Sequence, residues 1–133
     1  GVPHAVLESR ALTRLNVELW GRALRYHQHF APHGTNVNFM TITGRHALRL
    51  RTYERGVEAE TAACGTGSAA AALIAARLGR LQPPVQVTCA SGDVLEVDFR
   101  LTAKGARAVT LRGPAVYVFK GCYGSRPAAA RQR

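Results

Sequence analysis

Residues 53–68 read Tyr-Glu-Arg-Gly-Val-Glu-Ala-Glu-Thr-Ala-Ala-Cys-Gly-Thr-Gly-Ser, a passage in which a strand ends, a polar loop follows and a helix begins. The helix continues Ser-Ala-Ala-Ala-Ala-Leu-Ile-Ala-Ala over residues 68–76 and is apolar around its whole circumference. A helix without a polar face must be covered by other parts of the protein. Its small side chains allow a sheet to approach closely. The stretch therefore predicts an α+β fold in which a curled, mostly antiparallel sheet, a half-barrel, wraps around a central hydrophobic helix.

Hydrophobic periodicity predicts the elements around this helix. The predicted strands are residues 3–8, 37–43, 46–53, 85–90, 94–101, 106–111 and 115–119. A second, amphipathic helix is predicted over residues 16–26, with Asn16 as its N-cap. Its predicted buried face consists of Val17, Leu19, Trp20, Ala23 and Leu24. We expect residues 1–121 to form one domain and residues 122–133 to form a basic, disordered tail.

The chain has 133 residues and a formal net charge of +10, from 18 basic and 8 acidic residues. Such a balance permits nucleic-acid binding through phosphate neutralisation. The arginines are scattered from Arg10 to Arg133, however, which favours a solvated arginine-rich surface over a nucleic-acid face. Every apolar run is interrupted well before the roughly 20 residues of a membrane span. We therefore expect neither nucleic acid nor a membrane as a partner.

Three cysteines, Cys64, Cys89 and Cys122, form an odd number with no closely spaced pair. This spacing argues against a disulfide framework and against a zinc site, whose ligands usually come in close pairs. The composition is typical of a reducing compartment, so we expect a cytoplasmic protein with a free thiol and no metal.

Cys64 immediately precedes the predicted helix, in the order Cys64-Gly65-Thr66-Gly67. Free N–H groups and the positive dipole end of a helix stabilise a thiolate and bind anions. The two glycines would let a substrate approach the backbone, so that the amides near Gly65 and Thr66 could hold a carboxylate beside the sulfur. The alternative is a small, buried, inert cysteine, which is the usual role of a lone Cys. Cys89 lacks such surroundings, and for it the inert role is favoured.

Glu54 and Arg55 stand side by side at the end of a predicted strand. A carboxylate and a guanidinium so placed could bind the ammonium and the carboxylate of an amino acid. They could equally form a surface ion pair. Asn36, at the start of another strand, could either bind a ligand or cap the strand.

Several blocks in order resemble the diaminopimelate epimerase family. They are Glu54-Arg55-Gly56, Glu60-Thr61, Ala63-Cys64-Gly65-Thr66-Gly67, Gly1-Val2-Pro3-His4, residues 34–39 and the closing residues 113–121. The resemblance covers residues 1–121 and implies the C-terminal half of a two-domain enzyme whose N-terminal half is absent. That family interconverts LL- and meso-diaminopimelate, a step towards lysine and peptidoglycan, without pyridoxal phosphate or metal.

The resemblance implies roles for individual residues. Cys64 would be one of two catalytic cysteines that face opposite sides of the substrate's α-carbon. Gly65 and Thr66 would bind the reacting carboxylate through their amides. The remaining implied residues are the substrate ligands Asn36, Glu54 and Arg55 and the supporting residue His4. The implied partners are diaminopimelate, the missing half of the enzyme and a second copy in a homodimer, and no cofactor is implied.

Two departures from the family pattern stand out. Val2 occupies a position where many relatives have a substrate-contacting Asn, and the loop at residues 56–61 is one residue longer than in many members, which re-aims Glu58 and Glu60. Without its other half, the chain is predicted to be inactive alone. Two alternatives remain at this point: a proline racemase or hydroxyproline epimerase, which shares the Cys-Gly-Thr-Gly helix start, and a non-catalytic binding module that uses the basic surface.

Overall fold

The computed structural model describes residues 2–124, which form seven strands and two α-helices. The strands are β1 (His4–Glu8), β2 (Asn36–Gly44), β3 (Ala47–Glu54), β4 (Ala59–Thr61), β5 (Val85–Thr88), β6 (Val94–Thr102) and β7 (Gly105–Arg112). The helices are α1 (Val17–Arg25) and α2 (Gly65–Arg77), with short 3-10 helices at Leu12–Arg14 and Gln28–Phe30. The predicted disordered tail falls mainly on residues 125–133, which lie outside the described residues.

The strands form one curled, mixed sheet in the order β1-β2-β3-β5-β6-β7, and β4 pairs with β3 beside this path. The β1–β2 and β3–β5 pairs are parallel, whereas β2–β3, β3–β4, β5–β6 and β6–β7 are antiparallel. β3 changes its neighbour along its length. Its first residues, Ala47 to Arg49, pair with β5, and its last residues, Thr52 to Glu54, pair with β4.

The two faces of the sheet carry separate apolar clusters because successive side chains of a strand point to opposite faces. On β2, Met40 belongs to the cluster packed against α2, and Phe39 belongs to the cluster on the other face. We call these the inner and outer faces. The inner cluster contains Met40, Leu48, Leu50, Ala71, Ala72, Ala75, Ala76, Leu81, Val85, Val87, Val97 and Phe99, and the outer one Leu12, Val17, Val37, Phe39 and Tyr53.

Helix α2 lies on the inner face, where Ala71, Ala72 and Ala75 are completely buried. Alanine at these positions lets the helix backbone approach the sheet closely. The opposite side of the helix is open, since Ile74 is 38% exposed. Within residues 2–124 the sheet therefore covers α2 on one side only, and the predicted enclosure on all sides is not reached. Neither helix of the described chain is long and apolar enough to cross a membrane.

Helix α1 lies on the outer face and begins, as predicted, at the N-cap Asn16, whose side chain accepts a hydrogen bond from the Leu19 backbone N–H. The predicted buried face is wrong in part, because Leu19 and Trp20 are 61% and 55% exposed. Val17 is buried as predicted, and Gly21, which was not part of the predicted face, is buried as well. Gly21 lies directly against the Tyr53 ring, so the helix approaches the sheet through a position that has no side chain.

The strand predicted at residues 115–119 is not formed. Residues 113–124 have no regular secondary structure, and all of them are exposed. The alternation of apolar residues there resembles a strand, but no neighbouring strand of the described chain offers its backbone a partner. Conversely, the polar sequence of β4 predicts a loop, but this short segment forms a strand that pairs with β3.

Candidate active site

Cys64 is the N-cap of α2, and its sulfur accepts a hydrogen bond from the Gly67 backbone N–H at 3.4 Å. The Thr66 hydroxyl oxygen lies 3.6 Å from the same sulfur. Cys64 is only 7% exposed, yet the groups that contact its sulfur are polar. The backbone N–H groups of Gly65 and Thr66 have no intrahelical acceptor, because they belong to the first turn. The predicted placement of the thiol at the positive end of a helix is confirmed.

The two glycines of this turn are explained by packing within the chain. A Cβ at Gly65 would come within 2.8 Å of the Leu111 side chain on β7. A Cβ at Gly67 would overlap the Asn38 side-chain oxygen and lie 3.1 Å from the Cys64 sulfur. The missing side chains therefore let α2 approach β2 and β7.

Asn38 connects the start of α2 with β1 and β3. Its side-chain nitrogen contacts His4 Nδ1 at 3.1 Å and donates to the Ala5 carbonyl oxygen at 3.2 Å, while its oxygen accepts from the Thr52 hydroxyl at 3.0 Å. Asn38 is completely buried, so these bonds fix its orientation. Because the group facing the Ala5 carbonyl must be a donor, His4 Nδ1 is the acceptor in this contact.

His4 consequently carries its proton on Nε2, which is buried and has no hydrogen-bond partner within the described residues. Burial lowers the pKa of His4 below its ordinary value of 6.5, and the charge of Glu54 opposes this shift. His4 is thus a neutral imidazole at pH 7 with one oriented N–H donor unused by the protein. A polar ligand atom would satisfy that donor.

Three of the five residues predicted to bind substrate, Asn36, Glu54 and Arg55, lie together at adjoining strand ends. His4 pairs with Asn36 across β1 and β2, and the neighbouring pair Val37–Tyr53 places Asn36 beside Glu54. The Asn36 side-chain oxygen accepts a hydrogen bond from the Arg55 backbone N–H at 2.7 Å, so this atom stabilises the strand end itself. The Arg55 guanidinium donates to the His33 carbonyl oxygen at 3.3 Å. Glu54 and Arg55 form no ion pair with each other.

Both glutamates of residues 56–61 form ion pairs with arginines. Glu58 lies at φ 60 and accepts two hydrogen bonds from Arg25, at 2.9 and 3.1 Å. Although burial acts to raise its pKa, hydrogen bonds from Gly56, Tyr26 and Arg25 outweigh burial and lower the pKa of Glu58 below 4.5. Glu60 forms a bidentate pair with Arg51, with both contacts at 2.7 Å.

Neither of the other two cysteines stands at a helix N-terminus. Cys89 is as buried as Cys64, and burial raises the pKa of its thiol above 9.0. Cys122 is exposed in the segment without secondary structure. Val2 is 45% exposed. Among residues 2–124 there is no group of three or more His, Cys, Asp or Glu side chains that could hold a metal ion.

Asn38 belongs to this site, although its position in the sequence did not predict a role there. A signal was present in the Asn36-Val37-Asn38 alternation, which places both amides on one face of β2. Asn38 contacts α2 and β1 through residues that lie 29 or more positions away in the sequence. The local sequence pattern carries no information about such distant contacts.

Comparison with known proteins identifies the family of this chain. The family model described as diaminopimelate epimerase matches residues 1–118. The diaminopimelate epimerase of Aquifex aeolicus is 43% identical over 122 residues, which cover 91% of this chain and 43% of that protein. The corresponding protein of Hydrogenobaculum sp. is 48% identical over 124 residues, again 91% of this chain and 43% of the relative. The chain thus spans less than half the length of these curated relatives.

A solved structure shares the fold. The Bacillus anthracis phenazine biosynthesis protein of the PhzF family superposes with a TM-score of 0.56 at 16% identity, covering 79% of this chain and 32% of that one. At this identity the likeness supports the α+β fold alone. The family match over nearly the whole chain and the identities above 40% carry the assignment. This chain belongs to the diaminopimelate epimerase family.

Proposed function

We propose that this chain supplies one half of the active site of an enzyme that inverts the α-carbon of diaminopimelate, with Cys64 as one of two catalytic thiols. The observation that carries the proposal is the position of the Cys64 sulfur at the N-terminus of α2, where it accepts the Gly67 N–H. Family membership supports the same assignment. The chain covers less than half of its relatives, so the complete reaction belongs to a longer assembly.

In the proposed reaction, the Cys64 thiolate takes the α-hydrogen of the substrate as a proton. The electron pair of the broken C–H bond stays on the α-carbon and is delocalised into the neighbouring carboxylate. A thiol from the missing half delivers a proton to the opposite face, and in the reverse direction the roles exchange. Two opposed groups allow inversion without the substrate turning over. No cofactor takes part in this proposal.

The first turn of α2 supplies the electrostatic support for such a carbanion. The N–H groups of Gly65 and Thr66 lack intrahelical acceptors and would bind the reacting carboxylate, whose negative charge grows in the transition state. The unused Nε2–H of His4 and the Glu54 carboxylate lie at the adjacent strand ends. Glu54, Arg55 and Asn36 would contact the amino-acid group of the substrate.

Residues 113–124 support the need for a second half. Val116, Tyr117, Val118 and Phe119 are each 82–86% exposed, a run of apolar side chains without a cover in the described chain. Exposed apolar runs of this kind mark interaction sites. We propose that the remaining half of the enzyme covers this segment, and that the chain alone has no epimerase activity.

The decisive experiment fuses the portion of the Aquifex aeolicus relative that precedes its matching region to the start of this chain. Exchange of the α-hydrogen of LL-diaminopimelate for deuterium is then followed in heavy water by NMR. We expect exchange in the fusion, none in the chain alone, and loss of exchange in Cys64→Ser. Cys89→Ser is the matched control and should retain exchange, because Cys89 does not cap the helix.

A second measurement does not depend on turnover by the fusion. An electrophilic diaminopimelate analogue is incubated with the fusion, and alkylation is located by mass spectrometry. Reaction at Cys64 should be saturable and suppressed by diaminopimelate. Alkylation of Cys64 no faster than that of Cys89 would overturn the proposal and leave the non-catalytic binding module. Exchange with proline or hydroxyproline but not with diaminopimelate would assign the racemase branch instead.

A further inference from the structure

A cavity of about 350 Å³ opens where β3 changes its neighbour from β5 to β4. Thr41, Arg49 and Thr88 line it, and Cys64 does not. These three residues are direct cross-strand partners, Thr41 opposite Arg49 and Arg49 opposite Thr88. They therefore form a continuous Thr-Arg-Thr row across three strands, on the outer face that also carries Val37 and Phe39. Arg10 and Arg51 stand beside this row.

The arginines around this cavity differ in whether their charge is paired with a carboxylate of the protein. Arg51 binds Glu60 bidentately and also donates to the Leu12 and Leu15 carbonyl oxygens, so its charge is compensated and its position is fixed. Arg10 and Arg49 make no side-chain hydrogen bond or ion pair with any other residue in the range 2–124. Two uncompensated guanidinium groups thus face one cavity, in addition to the hydroxyls of the row.

We propose that this cavity binds a small ligand through a phosphate group. A guanidinium donates to two oxygens of a phosphate at once, and hydroxyls complete the donor set around an oxyanion. Two uncompensated positive charges match the dianionic charge of a phosphate monoester. The volume lies within the range of small-molecule sites. The Cys89 side chain on the same wall adds no negative charge, because burial raises the pKa of its thiol.

The test uses the full 133-residue chain and inorganic phosphate as the probe, at constant ionic strength. Backbone amide shifts measured by heteronuclear NMR report where binding occurs. We expect saturable shifts centred on Arg49 and Thr88. Arg49→Gln should weaken binding about tenfold or more, equal to about 1.4 kcal/mol, and Arg10→Gln should weaken it as an independent second variant.

Arg100→Gln is the matched control, since it removes the same charge from an exposed position on β6 that does not line the cavity. It should change the affinity less than about twofold, the effect of an exposed, screened charge. Equal weakening by Arg49→Gln and Arg100→Gln would mean diffuse attraction and would overturn the proposal, as would shifts that never saturate. Succinate, tested in parallel, should bind more weakly; tighter binding of succinate would overturn the choice of phosphate over carboxylate.

Discussion

Replacing Gly67 by alanine tests the contact between the start of α2 and Asn38, on which the geometry around Cys64 depends. The added Cβ would overlap the Asn38 side-chain oxygen and lie 3.1 Å from the Cys64 sulfur. Asn38 has no room to retreat, because it is completely buried and hydrogen-bonded to His4, Ala5 and Thr52. Both the amide and the helix must therefore shift to relieve the overlap.

Both shifts destabilise the protein, and their costs add. Overpacking a buried contact costs about 1–3 kcal/mol, and a displaced Asn38 leaves buried polar groups unsatisfied at about 1–3 kcal/mol. Alanine returns up to about 1 kcal/mol through its higher helix propensity. We therefore expect Gly67→Ala to lower the free energy of unfolding by about 3 kcal/mol.

Urea unfolding of the chain, followed by circular dichroism, measures this change. With a slope of about 2 kcal/mol per molar urea, the midpoint should fall by about 1.5 M. Gly105→Ala is the matched control, because a Cβ there meets no atom within 4 Å. It should change the free energy of unfolding by less than about 0.5 kcal/mol.

A double-mutant cycle identifies the cause. In an Asn38→Ala background the overlapping oxygen is gone, so Gly67→Ala should cost much less than it does in the wild-type chain. An unchanged cost in that background would refute the assignment of the strain to Asn38. A midpoint equal to that of the unmodified chain would refute the close approach itself.

Three further outcomes follow from other contacts. Gly21→Ala should lower the free energy of unfolding by about 2 kcal/mol in the same urea assay, because its Cβ would lie 2.6 Å from Tyr53 Cγ. His4→Gln should remove a pH dependence of the free energy of unfolding. Because the pKa of His4 is lowered in the folded chain, the unfolded chain binds the proton first, and the wild-type protein loses stability as pH drops from 6.5 towards the folded pKa. Equal slopes of unfolding free energy against pH in the two proteins would contradict this. Glu58→Gln should cost about 1 kcal/mol above pH 4.5 through its weakened bond to Arg25. The difference from wild type should vanish as pH falls below 4.5, through the lowered folded pKa of Glu58, in urea unfolding at stepped pH.

Elements whose signal is local were predictable from the sequence. Asn16 caps α1 because its side chain reaches a backbone N–H only three residues away. Gly79 follows α2 at φ +70, a conformation that glycine adopts without strain. The placement of Cys64 at a helix start was likewise contained in the local Cys-Gly-Thr-Gly order.

Features that depend on distant partners were not predictable. β4 looks like a polar loop, but Glu60 is held there by Arg51, and its backbone N–H donates to Glu18, which lies 42 positions away. The segment at residues 115–119 has the alternation of a strand, yet a strand requires a neighbour, and the described chain offers none. Local pattern gives the preference of a segment, whereas the partner decides its structure.

Cys64 and Cys89 show what distinguishes a candidate catalytic thiol from an inert one in this fold. Both are 7% exposed, and the Ser68 hydroxyl links their surroundings by donating to the Cys64 carbonyl oxygen and lying 3.9 Å from the Cys89 sulfur. Burial is therefore not the difference. The Cys64 sulfur accepts a backbone N–H at the start of a 13-residue helix, whereas Cys89 follows a four-residue strand, which has no comparable dipole. In the proposed mechanism the free N–H groups of the first turn would bind the reacting carboxylate beside the Cys64 sulfur, so position on the helix, not depth, distinguishes Cys64 from Cys89.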